Sequence, residues 1–131
     1  MFRCTKRSLF INDKECCFLP NIIDEIMFLN EKLFIRLWAQ DGGEAPKNNI
    51  YCFDVFGAEL WQISQPKNIK SRESLLLSGK RCKLNDYNDH QYVGMHYEEC
   101  TKSIIAIDFN GFRYRVDLCT GKIIEQLSSV R

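Results

Sequence analysis

A chain of 131 residues is short for two independent cores, since a division would leave only ~65 residues for each, so a single domain spanning 1–131 is expected. Hydrophobic residues make up 45% and charged residues 27%, with seven Gly and three Pro, a balance that excludes collagen-like, low-complexity and extensively disordered chains. Eighteen Lys and Arg against seventeen Asp and Glu leave a net charge of +1, so no global field draws this chain to nucleic acid or to an anionic membrane.

Met1 to Phe10 carries Arg3, Lys6 and Arg7, but no apolar stretch follows because Asn12, Asp13, Lys14 and Glu15 intervene; no signal peptide is expected. The longest apolar runs are a few residues, far below the ~20 a helix needs to cross a bilayer. The seven cysteines (Cys4, Cys16, Cys17, Cys52, Cys82, Cys100, Cys119) form an odd set without a CxxC pair. That fits free thiols in a reducing cytoplasm better than a secreted disulfide framework or a zinc site.

Turn signals recur between brief apolar runs and a helical repeat of apolar positions is missing, which predicts a mainly β protein with little helix. In chain order, Ser8 to Ile11 and Cys16 to Leu19 flank the polar stretch Asn12 to Glu15 and form an N-terminal hairpin (1–20). Pro20 ends its second strand because it cannot donate to a ladder. Ile22 to Phe28 pairs with Leu33 to Trp38 around Asn30-Glu31-Lys32, and Gln40 to Asn48, with Gly42, Gly43 and Pro46, reads as a loop.

An internal repeat follows. Asn49 to Leu60 (NIYCFDVFGAEL) and Ser103 to Tyr114 (SIIAIDFNGFRY) superpose with Ile50 on Ile104, Asp54 on Asp108 and Gly57 on Gly111. Each copy predicts a hairpin whose type I turn carries Asp first and a left-handed Gly fourth, the Asp accepting a backbone N–H. Around these hairpins the chain divides into two antiparallel four-stranded, blade-like meanders. The first unit (21–65) holds strands near Ile22 to Phe28, Leu33 to Trp38, Asn49 to Asp54 and Glu59 to Ile63. The second (91–131) holds strands near Gln91 to Tyr97, Ser103 to Asp108, Phe112 to Asp117 and Lys122 to Gln126. Two blades cannot close a propeller, so the units are expected to pack together around one core with the first hairpin covering an edge. Between them, 66–90 reads as an irregular linker with a short helix over Ser71 to Ser78, capped by Ser71 and stopped by Gly79.

Candidate chemistry is sparse. His90 and His96 are the only histidines, and six residues apart is not a metal-ligand spacing; general acid-base cleavage of RNA by this pair is the weaker alternative. Asp54 and Asp108 repeat as a carboxylate pair would, but turn geometry accounts for them. No GxGxxG, Walker loop, GxSxG or HExxH occurs, so neither enzyme activity nor a cofactor or metal is expected. Asp86, Tyr87, Asp89, Glu98 and Glu99, with Asp41 and Glu44 of the acidic first unit, form the candidate surface for a basic protein partner. The basic segment Lys67 to Lys83 lacks the interleaved aromatics of a nucleic-acid site and reads as a solvated linker.

The order FLPNIIDEIMFLNEKLFIRL, NNIYCFDVFGAELWQI and IIAIDFNGFRYRVDLCTGKII resembles small bacterial cytosolic proteins encoded beside polymorphic toxins, in particular an immunity protein of a contact-dependent growth inhibition system. The resemblance covers Phe18 to Ile63 and Gln91 to Gln126. It implies a stoichiometric inhibitor that binds a toxin domain, frequently a nuclease with a basic cleft, and covers its active site. A general β adaptor module is the alternative in the binding class, and only the identity of the partner separates the two.

Overall fold

The structure, a computed structural model, describes residues 2–38, 47–64, 91–108 and 111–127. The expected short helix over 71–78, the linker around it and most of the loop over 40–48 lie outside these residues. Among the described residues the chain is all β and has no helix long and apolar enough to cross a membrane. The strands are β1 (Phe2–Thr5), β2 (Ser8–Ile11), β3 (Lys14–Phe18), β4 (Ile23–Leu29), β5 (Lys32–Leu37), β6 (Ile50–Asp54), β7 (Glu59–Gln62), β8 (Tyr92–Glu98), β9 (Ser103–Asp108), β10 (Arg113–Val116) and β11 (Ile123–Gln126). They form three antiparallel meanders, β1-β2-β3, β4-β5-β6-β7 and β8-β9-β10-β11.

The two four-stranded units lie where the turn signals put them, and the N-terminal element is larger than a hairpin. Phe2 and Cys4 alternate with the exposed Arg3 and Thr5, a period of two that adds β1 to the edge of β2 with Phe2 opposite Ile11 and Thr5 opposite Ser8. Two of the turns are tighter than their polar stretches imply. Asn12 and Asp13 both have positive φ (50° and 65°), as do Asn30 and Glu31 (50° and 60°), which is the two-residue hairpin geometry that matches strand twist. Lys14, Glu15 and Lys32 are therefore strand residues.

The Asp-x-x-Gly turns form as their chemistry predicts. Asp54 Oδ1 accepts the N–H of Phe56 and of Ala58, both at 2.9 Å, and Asp108 Oδ1 accepts that of Phe112 at 2.9 Å. Gly57 and Gly111 close the turns at φ 91° and 88°. The two copies nevertheless occupy different places. The first joins the third and fourth strands of its sheet, β6 and β7, while the second joins the second and third, β9 and β10. The repeat is one of turn chemistry, which serves any tight hairpin, and not of whole units.

Layering explains the near-continuous apolar runs of β5 and β6. The sheet β4–β7 is central and buried on both faces. Leu33, Ile35, Leu37, Tyr51 and Phe53 pack with Leu9, Ile11 and Leu19 of the N-terminal sheet. The alternate residues Phe34, Ile50 and Cys52, with Trp61 and Ile63, pack with Tyr92, Met95, Ile104, Ala106, Tyr114 and Val116 of the last sheet. There are thus two cores in place of the single one expected, and the N-terminal sheet covers a face, not an edge. The alternation that directs successive side chains to opposite faces leaves β5 and β6 apolar on both sides, and each side needs a cover.

Polar groups stitch the central sheet to the last one. Asn49, fully buried, donates from Nδ2 to the carbonyls of Leu37 (2.7 Å) and Tyr92 (2.9 Å) and accepts the Tyr92 N–H at 2.7 Å. Trp61 Nε1 donates to Leu118 O at 2.9 Å, and Ser64 Oγ donates to Gly121 O (3.3 Å) while accepting the Ile123 N–H (3.2 Å). The buried Arg36 bridges Asp24 (2.7 Å) and Glu25 (2.9 Å) of β4. Within this interface Tyr114 and Tyr92 meet edge to face at 6.1 Å, but only Tyr114 places its hydroxyl on a partner, Asp108 Oδ2 at 2.8 Å. The Tyr92 hydroxyl is buried without one. Tyr114→Phe is expected to lower unfolding free energy by about 1–3 kcal/mol, whereas Tyr92→Phe is expected to leave it unchanged or raise it by up to about 1 kcal/mol. Urea unfolding of both variants followed by Trp fluorescence checks the contrast.

Candidate protein-binding surface

The register of the central sheet sets Leu29 opposite Lys32 and Lys32 opposite Asp54, so the β4–β5 and β6–β7 turns share one end of that sheet. The Phe2–Ile11 end of the N-terminal sheet lies against it. There Phe2, Ile11, Phe28, Leu33 and Val55 line an apolar cleft of 270 Å³, with the Phe2 and Phe28 rings 5.8 Å apart. Phe28 is 51% exposed, and Phe56, next to Val55, is 84% exposed.

Local chemistry holds Phe56 outward. Asp54 ties down the N–H groups on both sides of Gly57, and Gly57 itself backs onto Cys16, where a Cβ would stand 2.7 Å from the Cys16 Cβ. The Cys16 thiol meets the Phe56 carbonyl at 3.9 Å. A large ring on a turn clamped in this way is pre-organised, which reduces the ordering cost of an aromatic anchor on binding. Asp13, Glu31 and Asp54 lie in or beside the three turns of this end, accompanied by Lys14, Lys32 and, beside Asn12 and Asp13, Arg3. Among the described residues of the span 21–64, Asp24, Glu25, Glu31, Asp54 and Glu59 outnumber Lys32, Arg36 and Lys47.

The residues proposed from sequence fare differently. Asp41, Glu44, Asp86, Tyr87, Asp89 and His90, with the basic segment 67–83, lie outside the described residues. Glu98 and Glu99 lie at the β8–β9 turn and do not line the apolar cleft. Glu98 accepts the Thr101 hydroxyl at 2.6 Å and pairs with Arg115 at 2.8 Å. The Thr101 bond first and Arg115 after it hold its carboxyl below the usual range. Arg115 also pairs with Glu125 at 2.7 Å, so Glu98 is engaged within its own sheet. Glu99 is exposed, and His96 stands exposed on β8. Of the tryptophans, Trp61 is buried in the core and Trp38 is about half exposed.

Among the described residues no three His, Cys, Asp or Glu gather as a metal site would require. Cys4, Cys16, Cys17, Cys52, Cys100 and Cys119 are free thiols. Burial pushes the Cys52 thiol up to about 12 and, with the neighbouring Cys16, the Cys17 thiol up to about 11, so neither is a thiolate near neutral pH. Sequence reasoning passed over Phe56 and Phe28. The signal for Phe56 is its place inside Asp54-Val55-Phe56-Gly57, where a turn residue has no sheet face to bury it; the second copy carries Asn110 at the same place. Comparison with protein-family models, with curated proteins and with solved structures returns no match.

Proposed function

We propose that this chain is a protein-binding β domain of the immunity type, which neutralises a toxin domain by seating on it and covering its active site. The observation that carries the reading is the exposed Phe56, on a turn clamped by Asp54 and Gly57, with the exposed Phe28 of β4 beside an apolar cleft. Binding energy in protein interfaces concentrates in a few such rigid aromatic anchors. The acidic excess among the described residues of 21–64, five carboxylates against three cations, complements a basic nuclease cleft and speeds capture of a partner that kills quickly. The family resemblance of the sequence supplies the toxin as the partner, and the mechanism needs no catalytic residue in this chain.

The decisive experiment co-expresses the tagged protein with the product of the adjacent gene. Recovery of a one-to-one complex with the C-terminal domain of a large secreted protein, together with rescue of cells from its toxicity, is the expected outcome. Recovery of housekeeping subunits alone would replace immunity with an adaptor role. In the complex, Phe56→Ala is expected to weaken affinity about 30-fold, the effect of losing one hot-spot ring. Its urea midpoint should stay near that of the parent, because so exposed a side chain contributes little to folding. Titration calorimetry and urea unfolding of the same variant separate the two effects.

A further inference from the structure

Cys16 and Cys17 are neighbours in β3. In a regular strand adjacent side chains point to opposite faces, and β3 is not regular. Its register passes from Leu9 opposite Cys17 to Phe10 opposite Glu15, so Cys16 is the extra residue of a β-bulge, a distortion that re-aims a side chain. Burial follows the bulge. Glu15 and Phe18 are exposed, whereas Cys16 and Cys17 between them are both half-buried and both pack against the core of Leu9, Ile11 and Tyr51. Two consecutive thiols are thereby turned to one face.

The Cys16 sulfur meets the carbonyls of Lys14 at 3.5 Å and Phe56 at 3.9 Å, and a Cβ on Gly57 would overlap it. Among the described residues β3 pairs with β2 alone, so a ligand reaches the half-exposed thiols from the sheet edge without crossing the core. Cys4 packs on the same core, but Leu9 of β2 stands between it and Cys17, so it is no third member of the pair. Peptide geometry sets what such a pair can do. Consecutive Cα atoms are about 3.8 Å apart, whereas a disulfide takes about 4.4–6.8 Å, so the neighbours are held as a dithiol. Thiolates favour copper(I), zinc and iron–sulfur clusters. A pair falls short of the four ligands of a structural zinc site or a cluster and is the full set for copper(I), a soft ion satisfied by two sulfurs.

We propose that Cys16 and Cys17 hold one copper(I) ion between their sulfurs. As the ion binds, two S–H bonds break, two S–Cu bonds form and two protons leave to solvent. The copper stays cuprous throughout, so neither oxidant nor reductant is consumed. Adjacency makes the second bond intramolecular, which raises the affinity above that of any single thiol. The site stands on the thiols alone and is independent of whether Phe56 anchors a partner.

The test titrates the reduced full-length protein with copper(I), without oxygen, against the chromogenic chelator bicinchoninate. One equivalent is expected to pass from the chelator to the protein, with amide shifts of the 15N-labelled chain centred on Cys16, Cys17, Phe56 and Gly57. Absorption at the copper edge should show two sulfur neighbours. Cys16→Ser and Cys17→Ser should each weaken retention about 100-fold, the loss of one arm of a chelate. Cys100→Ser and Cys119→Ser, at exposed thiols on other turns, should leave it unchanged. Failure to withdraw copper, undiminished retention in either β3 variant, or an equal loss with Cys100→Ser or Cys119→Ser would overturn the proposal. Urea midpoints identify any serine variant that fails to fold, and its alanine form then takes its place.

Discussion

Gly121→Ala is expected to destabilise the fold by about 3 kcal/mol, through two effects of about 1–3 kcal/mol each. Gly121 closes the turn between β10 and β11 at φ 75°, a conformation that brings the Cβ of any L-residue against its own backbone. The added methyl would also stand 2.6 Å from Trp61 Cδ2, and it has nowhere to go. The Trp61 ring is seated among Phe34 and the rest of the core and pinned by its Nε1 bond to Leu118 O. Chemical denaturation measures the loss. The two causes are separable by repeating the substitution in a Trp61→Leu background, where the steric part should shrink and the backbone part remain, as in any double-mutant cycle between contacting residues.

Asn49→Ala is the second large effect, about 3–4 kcal/mol. The amide side chain meets three backbone groups, the carbonyls of Leu37 and Tyr92 and the N–H of Tyr92, at a site with no solvent exposure. Truncation leaves all three buried, at about 1–3 kcal/mol for each group that finds no new partner. Because two of the three belong to the first residue of β8, the damage should be local as well as global. Hydrogen exchange is expected to show faster exchange at the start of β8 than in β9 and β10. Uniform acceleration across all three strands would instead mean that Asn49 supports the fold without docking one sheet onto the next.

These two residues mark the boundary of what is legible in the sequence. Gly121 lies in Asp117-Leu118-Cys119-Thr120-Gly121, whose turn chemistry is readable directly, and Asp117 does accept the Cys119 N–H at 2.8 Å. That the same glycine supports a tryptophan 60 positions earlier is not readable, because the contact arises only when the last sheet lies on the central one. Asn49 precedes the strand residue Ile50 and looks like one more polar residue at a loop end. Its three partners come from β5 and β8, the second of which is 43 residues away. The candidate site divides along the same line. Phe56 sits in a turn that the Asp and Gly signatures already define, whereas its neighbourhood with Phe2, Ile11 and Phe28 depends on the N-terminal sheet crossing that end of the central one. Charge counted along the chain likewise does not register that Arg115 reaches Glu98 across the sheet from β10.

The sequence by itself determined every strand but β1, the two four-stranded units and the chemistry of their Asp-x-x-Gly turns. Side-chain alternation and the sterics of Asp, Asn and Gly act within a few residues and need no tertiary context. Only the tertiary structure decided that the central sheet is covered on both faces and that Trp61 is core while Phe56 is surface. Burial is a property of which faces meet, and hydrophobic attraction, being non-directional, leaves the choice of partner face to packing between distant segments.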